Sequence, residues 1–240
     1  MRRFSTLLFL ICAGALCGCS DDASQDLAPI PVLPQQPPGD KHVETGQALM
    51  QRRRFAEAIP HFERAIERPL KIFDRSEVLS TIGNCYSELE QFEKSLVYHE
   101  QALQENPRNH AALVNKGIVH RLMGDFESAE RSYQAALKIA PNYAEAHMSI
   151  GALAIHQEKY ELAITHLERA IKLNDSLPIG HSNLAIAYAI LGRFDEAELE
   201  LESAIIRGYH QPEVIRDRID KLKLAATAKA QKNAGENQAD

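Results

Sequence analysis

The stretch "HAALVNKGIVHRLMGDFESAERSYQAALKIAPNY", residues 110–143, reads as two helices joined by a tight turn. Ala112, Leu113, Lys116, Gly117 and His120 share one side of the first helix at helical spacing. "MGDF" makes the turn: Gly124 supplies the break and Asp125 caps the second helix. Phe126, Ala129, Tyr133, Ala136 and Leu137 mark the inward side of that second helix, and Pro141 ends the unit as Pro107 ends the one before. A glycine inside a helix costs about 1 kcal/mol relative to alanine. Gly117 therefore needs a reason.

The reason begins with a period of 34 residues. Gly83, Gly117 and Gly151 are followed one step later by Ala185; Phe92, Phe126, Tyr160 and Phe194 form an aromatic series. Ser95, Ala129, Ala163 and Ala197 form one small-residue series, and Ala102, Ala136, Ala170 and Ala204 another. Self-similarity at this period means stacked units, each unable to bury its own apolar side. The order of small residue, aromatic, alanine, aromatic, alanine and proline resembles the tetratricopeptide repeat (TPR) family over residues 39–211. The resemblance implies an all-α superhelical solenoid of five helix-turn-helix units: 39–72, 76–109, 110–143, 144–177 and 178–211, with Phe73 to Arg75 extra between the first two. Pro60 is placed early in the second helix of unit one, where free amide groups make it tolerable. The fifth unit has Ala185 for glycine and Tyr209 where proline is usual. In such an array the small residues let backbones approach while large ones fill adjacent holes. Residues 212–230 read as a capping helix, with Ile215, Ile219, Leu222 and Ala226 on one stripe, and 231–240 as a disordered tail.

The N-terminus carries Arg2 and Arg3 and then "LLFLICAGAL", an apolar run too short to span a bilayer. It ends in "LCGC", residues 16–19, which resembles the bacterial lipobox. Residues 1–18 are thus expected to be a lipoprotein signal peptide, and Cys19 the lipidated first residue of the mature chain. Each buried methylene contributes about 0.8 kcal/mol and one chain holds only reversibly, so three acyl chains make an effectively permanent anchor. Ser20 after that cysteine leans toward the outer membrane, facing the periplasm. Residues 19–39, with "APIPVLPQQPPG", read as a polyproline-type tether that at ~3.1 Å per residue reaches on the order of 60 Å. Among the four cysteines only Cys85 is not in this N-terminal run. It is expected to be a small buried residue, and no internal disulfide is expected.

Composition is 45% apolar and 25% charged, and the net charge of −6 becomes −8 once Arg2 and Arg3 leave with the signal. No basic stripe appears, so no nucleic acid partner is expected. The histidines lack zinc-ligand spacing, which gives no metal; phosphate loops and nucleophile elbows are absent, which gives no cofactor and no catalytic residues. His99, His120, His147 and His181 are expected inward, and His61 and His166 solvated. Carboxylates such as those of "DEAELELE" occupy exposed helical faces.

In the resembled fold the first helices line a concave groove. The pattern places Ser80, Asn84, Val114, Ile118, Arg121, Met148, Ala152, Ile155, Ser182, Ile186 and Ala189 there. Some relatives grip a terminal carboxylate with lysines and asparagines; here Asn84 and Arg121 match in type and the lysines are missing. The mostly apolar groove suits an amphipathic helix or greasy peptide, unless the chain's own C-terminal helix fills it. The expected function is a membrane-anchored scaffold or adaptor for another envelope protein or peptide. Pilotin-type assembly of secretins is an alternative, and a carrier of small hydrophobic ligands is a rival from another class. Self-association through the groove or the terminal unit stays open.

Overall fold

The computed structural model describes residues 38–236, and these form eleven α-helices. They run α1 (Pro38–Gln51), α2 (Phe55–Ile66), α3 (Arg75–Glu88), α4 (Phe92–Glu105), α5 (His110–Leu122), α6 (Phe126–Ile139), α7 (Ala144–His156), α8 (Tyr160–Leu173), α9 (Pro178–Ile190), α10 (Phe194–Ile206) and α11 (Pro212–Glu236). Odd and even helices pair into five antiparallel hairpins, each packed on the next, and α11 packs on α9 and α10. The expected signal, Cys19 and the tether lie outside the described residues, except that α1 already includes Pro38 and Gly39.

The periodic residues recur at fixed stations. Phe55, Phe92, Phe126, Tyr160 and Phe194 each open a second helix. Ala65, Ala102, Ala136, Ala170 and Ala204 are fully buried. One turn residue in every hairpin has a positive φ: Arg53 (57°), Glu90 (57°), Gly124 (81°), Glu158 (59°) and Gly192 (76°). The left-handed region costs a side chain roughly 1–2 kcal/mol and costs glycine nothing. Glu90 is exposed, and a Cβ added at Gly124 meets nothing within 4 Å, so backbone strain alone separates the two residue types there. Glu90→Gly is expected to stabilise the fold by about 0.5–1 kcal/mol, and Gly124→Ala to destabilise it by a similar amount. Urea titrations of the two variants check this.

The helical glycines do something more specific than admit a neighbouring backbone. A Cβ at Gly46 would lie 2.7 Å from the Phe62 ring, at Gly83 2.7 Å from His99, at Gly117 2.5 Å from Tyr133 and at Gly151 2.5 Å from Leu167. Each first helix thus carries a notch that receives one large, fully buried side chain of its own hairpin partner. Backbone comes second, with the Ala129 carbonyl 3.1 Å from the Gly117 position and that of Ala163 3.2 Å from Gly151. Ala185 opposite Leu201 is the fifth such pair, and both residues are buried. Gly46 belongs to the series, displaced in register by the three extra residues. Those three residues also start a helix, since Asp74 caps α3 by accepting from the Glu77 amide at 3.1 Å. Asp125 caps α6 through the Ser128 amide at 3.0 Å, as its place in the turn predicts.

Two local expectations need correction. Pro60 is the sixth residue of α2, one turn beyond the free amides, so it removes a hydrogen bond to the Ala56 carbonyl. Both residues are exposed, which leaves that carbonyl open to water, and α2 continues unbroken. The C-terminal helix does not stop at residue 230 but runs to Glu236. Its apolar stripe explains only the first part: Ile215 and Ile219 are buried and Leu222 partly so, whereas Ala226 is exposed. "AATAKAQK" carries the helix onward because alanine, lysine and glutamine are strong helix formers.

Candidate functional site

First helices α3, α5, α7 and α9 touch their successors, whereas the second helices scarcely meet one another. Closer spacing on one side bends the stack, so the first helices line its inner face. Along that face lie three cavities of about 390, 330 and 450 Å³. The first is lined by Ser80 and Asn84 of α3 and by Asn109 and Asn115 around the start of α5. The second lies between Met50, Phe55, Asn84 and Ile118. The third is bounded by Arg121, Ala152, Ile155 and Ile186.

Asn84, Ile118, Arg121, Ala152 and Ile155 line these cavities and are partly exposed, whereas Met148, also partly exposed, lines none of them and packs against the core of the last units. Val114, Ser182 and Ala189 are 2% exposed and offer no surface, and Ser80 and Ile186 show only an edge. Val114 is turned into the core of units three and four, among Ala146 and Leu153. Ser182 donates to the Ile179 carbonyl at 3.0 Å, and α11 packs across α9. The chain's own last helix therefore covers the final unit of the groove and leaves units two to four open.

Some groove residues escaped the pattern. Thr81, Asn115 and Asn183 line the cavities, and Ser149 completes their 34-residue series, so a polar series was there to be found beside the apolar one. His156 and Arg218 also line the third cavity. Arg218 belongs to α11, outside the repeats, where no periodicity could point to it.

Most histidines are engaged in packing. His99 is fully buried, with its Nδ1 3.3 Å from the Ser80 hydroxyl, and burial pulls its pKa down to about 4. His181 is buried with Nδ1 2.6 Å from Glu200 Oε2. His147 and His166 meet through their Nδ1 atoms at 3.1 Å, so His166 is not solvated as its helical position suggested; burial and then the His147 charge lower its pKa. His61 is half-buried beside His42 rather than free in solvent. Cys85 is buried, and desolvation followed by Glu88 pushes its thiol up to about 12, which leaves it unreactive. Among the described residues no three His, Cys, Asp or Glu side chains gather as a metal site requires. No described helix is long and apolar enough to cross a membrane.

These hairpins, notches and caps define a tetratricopeptide repeat solenoid. Residues 79–207 match the family model described as the cilia and flagella-associated protein 70 middle TPR-like domain, and the chain belongs to that TPR-like family. It is 31% identical over 106 residues to the Hsp70-Hsp90 organizing protein of Triticum aestivum, covering 44% of this chain and 18% of that one. It is 24% identical over 153 residues to human tetratricopeptide repeat protein 6, covering 62% and 28%. The chain thus spans less than a third of these curated relatives. Among solved structures it is similar to TTC0263, a thermophilic TPR protein of Thermus thermophilus, with a TM-score of 0.65, 22% identity and coverage of 78% and 99%. It also resembles the APC/C hetero-tetramer Cut9-Hcn1, with a TM-score of 0.70, 15% identity and coverage of 78% and 37%. At these identities the structures establish the fold. TPR proteins act in general as protein-interaction scaffolds.

Proposed function

We propose that this chain is a lipid-anchored adaptor of the bacterial cell envelope, tethered through Cys19 at the outer membrane and facing the periplasm. It holds an envelope protein or peptide in the groove of units two to four and catalyses nothing. The observation that carries the reading is the row of cavities along α3, α5 and α7, with Met50, Ile118 and Ile155 partly exposed among polar groups. Isolated apolar side chains on a surface need no explanation, but a row of them along one concave face fits a partner segment. The "LCGC" stretch supports the anchor and the proline-rich tether supports reach from the membrane. Assembly of a secretin, as pilotins perform, is one process that such an adaptor would serve.

A carrier of hydrophobic ligands fits less well. The cavities hold 330–450 Å³ and are lined in large part by asparagine, serine and charged groups, which suits peptide side chains better than an acyl chain. Photocrosslinking from positions 118 and 155 in intact cells tests the adaptor. One dominant captured protein is expected, and its capture is expected to fall at least tenfold in Ile118→Lys and Ile155→Lys variants that keep their helical circular dichroism. Unchanged capture in the folded variants would reject the groove, and co-purification of stoichiometric lipid would favour the carrier.

A further inference from the structure

The third cavity of the groove has a chemistry of its own. Arg121 at the end of α5 donates through Nη1 to His156 Nε2 of α7 at 3.2 Å. His156 stacks on Phe126, ring centroids 6.0 Å apart, which fixes the imidazole. Arg218 reaches the same cavity from α11. Both guanidinium charges act on His156 and hold its pKa below the usual range, after the larger effect of burial. Among the described residues no carboxylate pairs with Arg121 or Arg218, although Glu158 also borders the cavity. Arg121 also lies beside the buried hydroxyl of Tyr133, an acceptor within reach of its guanidinium. On a chain of net charge −6, this gathers two guanidiniums and an imidazole with donors to spare.

We propose that this cavity is an anion subsite of the groove, and that it takes a carboxylate side chain of a partner segment lying along α5 and α7. The planar fork of a guanidinium matches a carboxylate through two parallel hydrogen bonds. Ile155 and Ile179 border the same cavity, so the carboxylate sits beside aliphatic side chains. A segment alternating acidic and aliphatic residues satisfies both, which a free anion does not. Arg218 comes from the capping helix, so the end of the stack completes the subsite. The assignment rests on the groove being the partner-binding face.

Fluorescence anisotropy of the full-length chain in mild detergent tests it, with labelled peptides LEELLEEL, LQQLLQQL and LKKLLKKL as probes. The acidic peptide is expected to bind about tenfold tighter than the neutral one at low salt, the basic one weakest, and added salt should narrow the gap. Arg218→Gln, an exposed change that leaves the fold intact, and Arg121→Gln are each expected to remove most of the gap while the neutral peptide binds as before. Equal binding of acidic and neutral peptides by the parent chain overturns the subsite but leaves the groove. A gap that persists in Arg218→Gln overturns it too, as does displacement of the acidic peptide by micromolar inorganic phosphate, which would assign the site to a free anion. Failure of all three peptides to bind overturns the groove reading itself.

Discussion

Gly117→Ala is expected to destabilise the protein by about 2–3 kcal/mol, although alanine is the better helix former by about 1 kcal/mol. The new methyl would lie 2.5 and 2.7 Å from two ring carbons of Tyr133, with the Ala129 carbonyl 3.1 Å away. Tyr133 is fully buried against Val114 and Ala146, so a rigid ring has nowhere to turn. Gly151→Ala, by contrast, is expected to cost less than about 1 kcal/mol. Its neighbour is Leu167, a side chain with flexible ends, and Ala185 opposite Leu201 shows the same chain accommodating that combination. The double variant Gly117→Ala with Tyr133→Leu rebuilds the Ala185–Leu201 pair in unit three. It should regain most of what Gly117→Ala loses, so the coupling energy of the cycle should be about 2 kcal/mol. Urea titrations of the four proteins measure it. Additive losses would show that the glycine serves the helix backbone and not the ring.

The same notch explains which parts of the architecture could be read from the amino-acid string. Hairpin boundaries, the aromatic opening each second helix and the buried alanines are all consequences of the 34-residue period, because identical packing stations demand similar residue sizes. The detailed role of each station is not. Phe62, His99, Tyr133, Leu167 and Leu201 occupy one station with four different side chains, so size recurs and chemistry does not. The turns behave likewise. Gly124 announces its left-handed backbone, but Glu90 and Glu158 adopt the same conformation without any sign in the sequence, because the cost of a side chain there is small enough for a stacked fold to absorb.

The groove was legible at some stations of its middle and less so at its end. Ile118, Arg121, Ala152 and Ile155 lie where periodicity puts them, since α5 and α7 have like neighbours on both sides. Val114 and Ser182 fail together with Ser80 because their shared station, three residues before the notch, is buried in the stack, whereas Ala189 fails where α9 has α11 as its next neighbour. Arg218 and the His147–His166 contact escape for a related reason. Helical spacing assigns a residue to a face of one helix but says nothing about which side chains two helices bring nose to nose.

Acid should weaken this protein at one identifiable residue. His99 is buried and neutral, and its pKa in the folded chain is about 4 against an ordinary value of 6.5, chiefly through desolvation and secondarily through the Lys116 charge. Between those two values the unfolded chain binds the proton more readily than the folded one, so stability falls as pH drops from 6.5 toward 4. At about 1.36 kcal/mol per unit the full loss is roughly 3 kcal/mol, most of it complete by about pH 4.5. His120, His156 and His166, also held below the usual range by burial first of all, act in the same direction. His99→Leu separates this residue from the rest. Leucine occupies the same station at 167 and 201, the buried and unpartnered Nε2 disappears, and Ser80 keeps the Asn115 amide at 3.4 Å. The variant is expected to gain about 1 kcal/mol at about pH 7.5, where removal of the unsatisfied Nε2 outweighs loss of the 3.3 Å contact between Nδ1 and the Ser80 hydroxyl. At about pH 4.5 its advantage should widen to roughly 3–4 kcal/mol, because the leucine has no proton to accept. Urea midpoints of both proteins at the two pH values decide the matter. An advantage that stays constant across them would mean that His99 is reached by water in the folded chain, and that the polar cluster of Ser76, Ser80, Asn109 and Asn115 around α3 and α5 is more open than its burial implies.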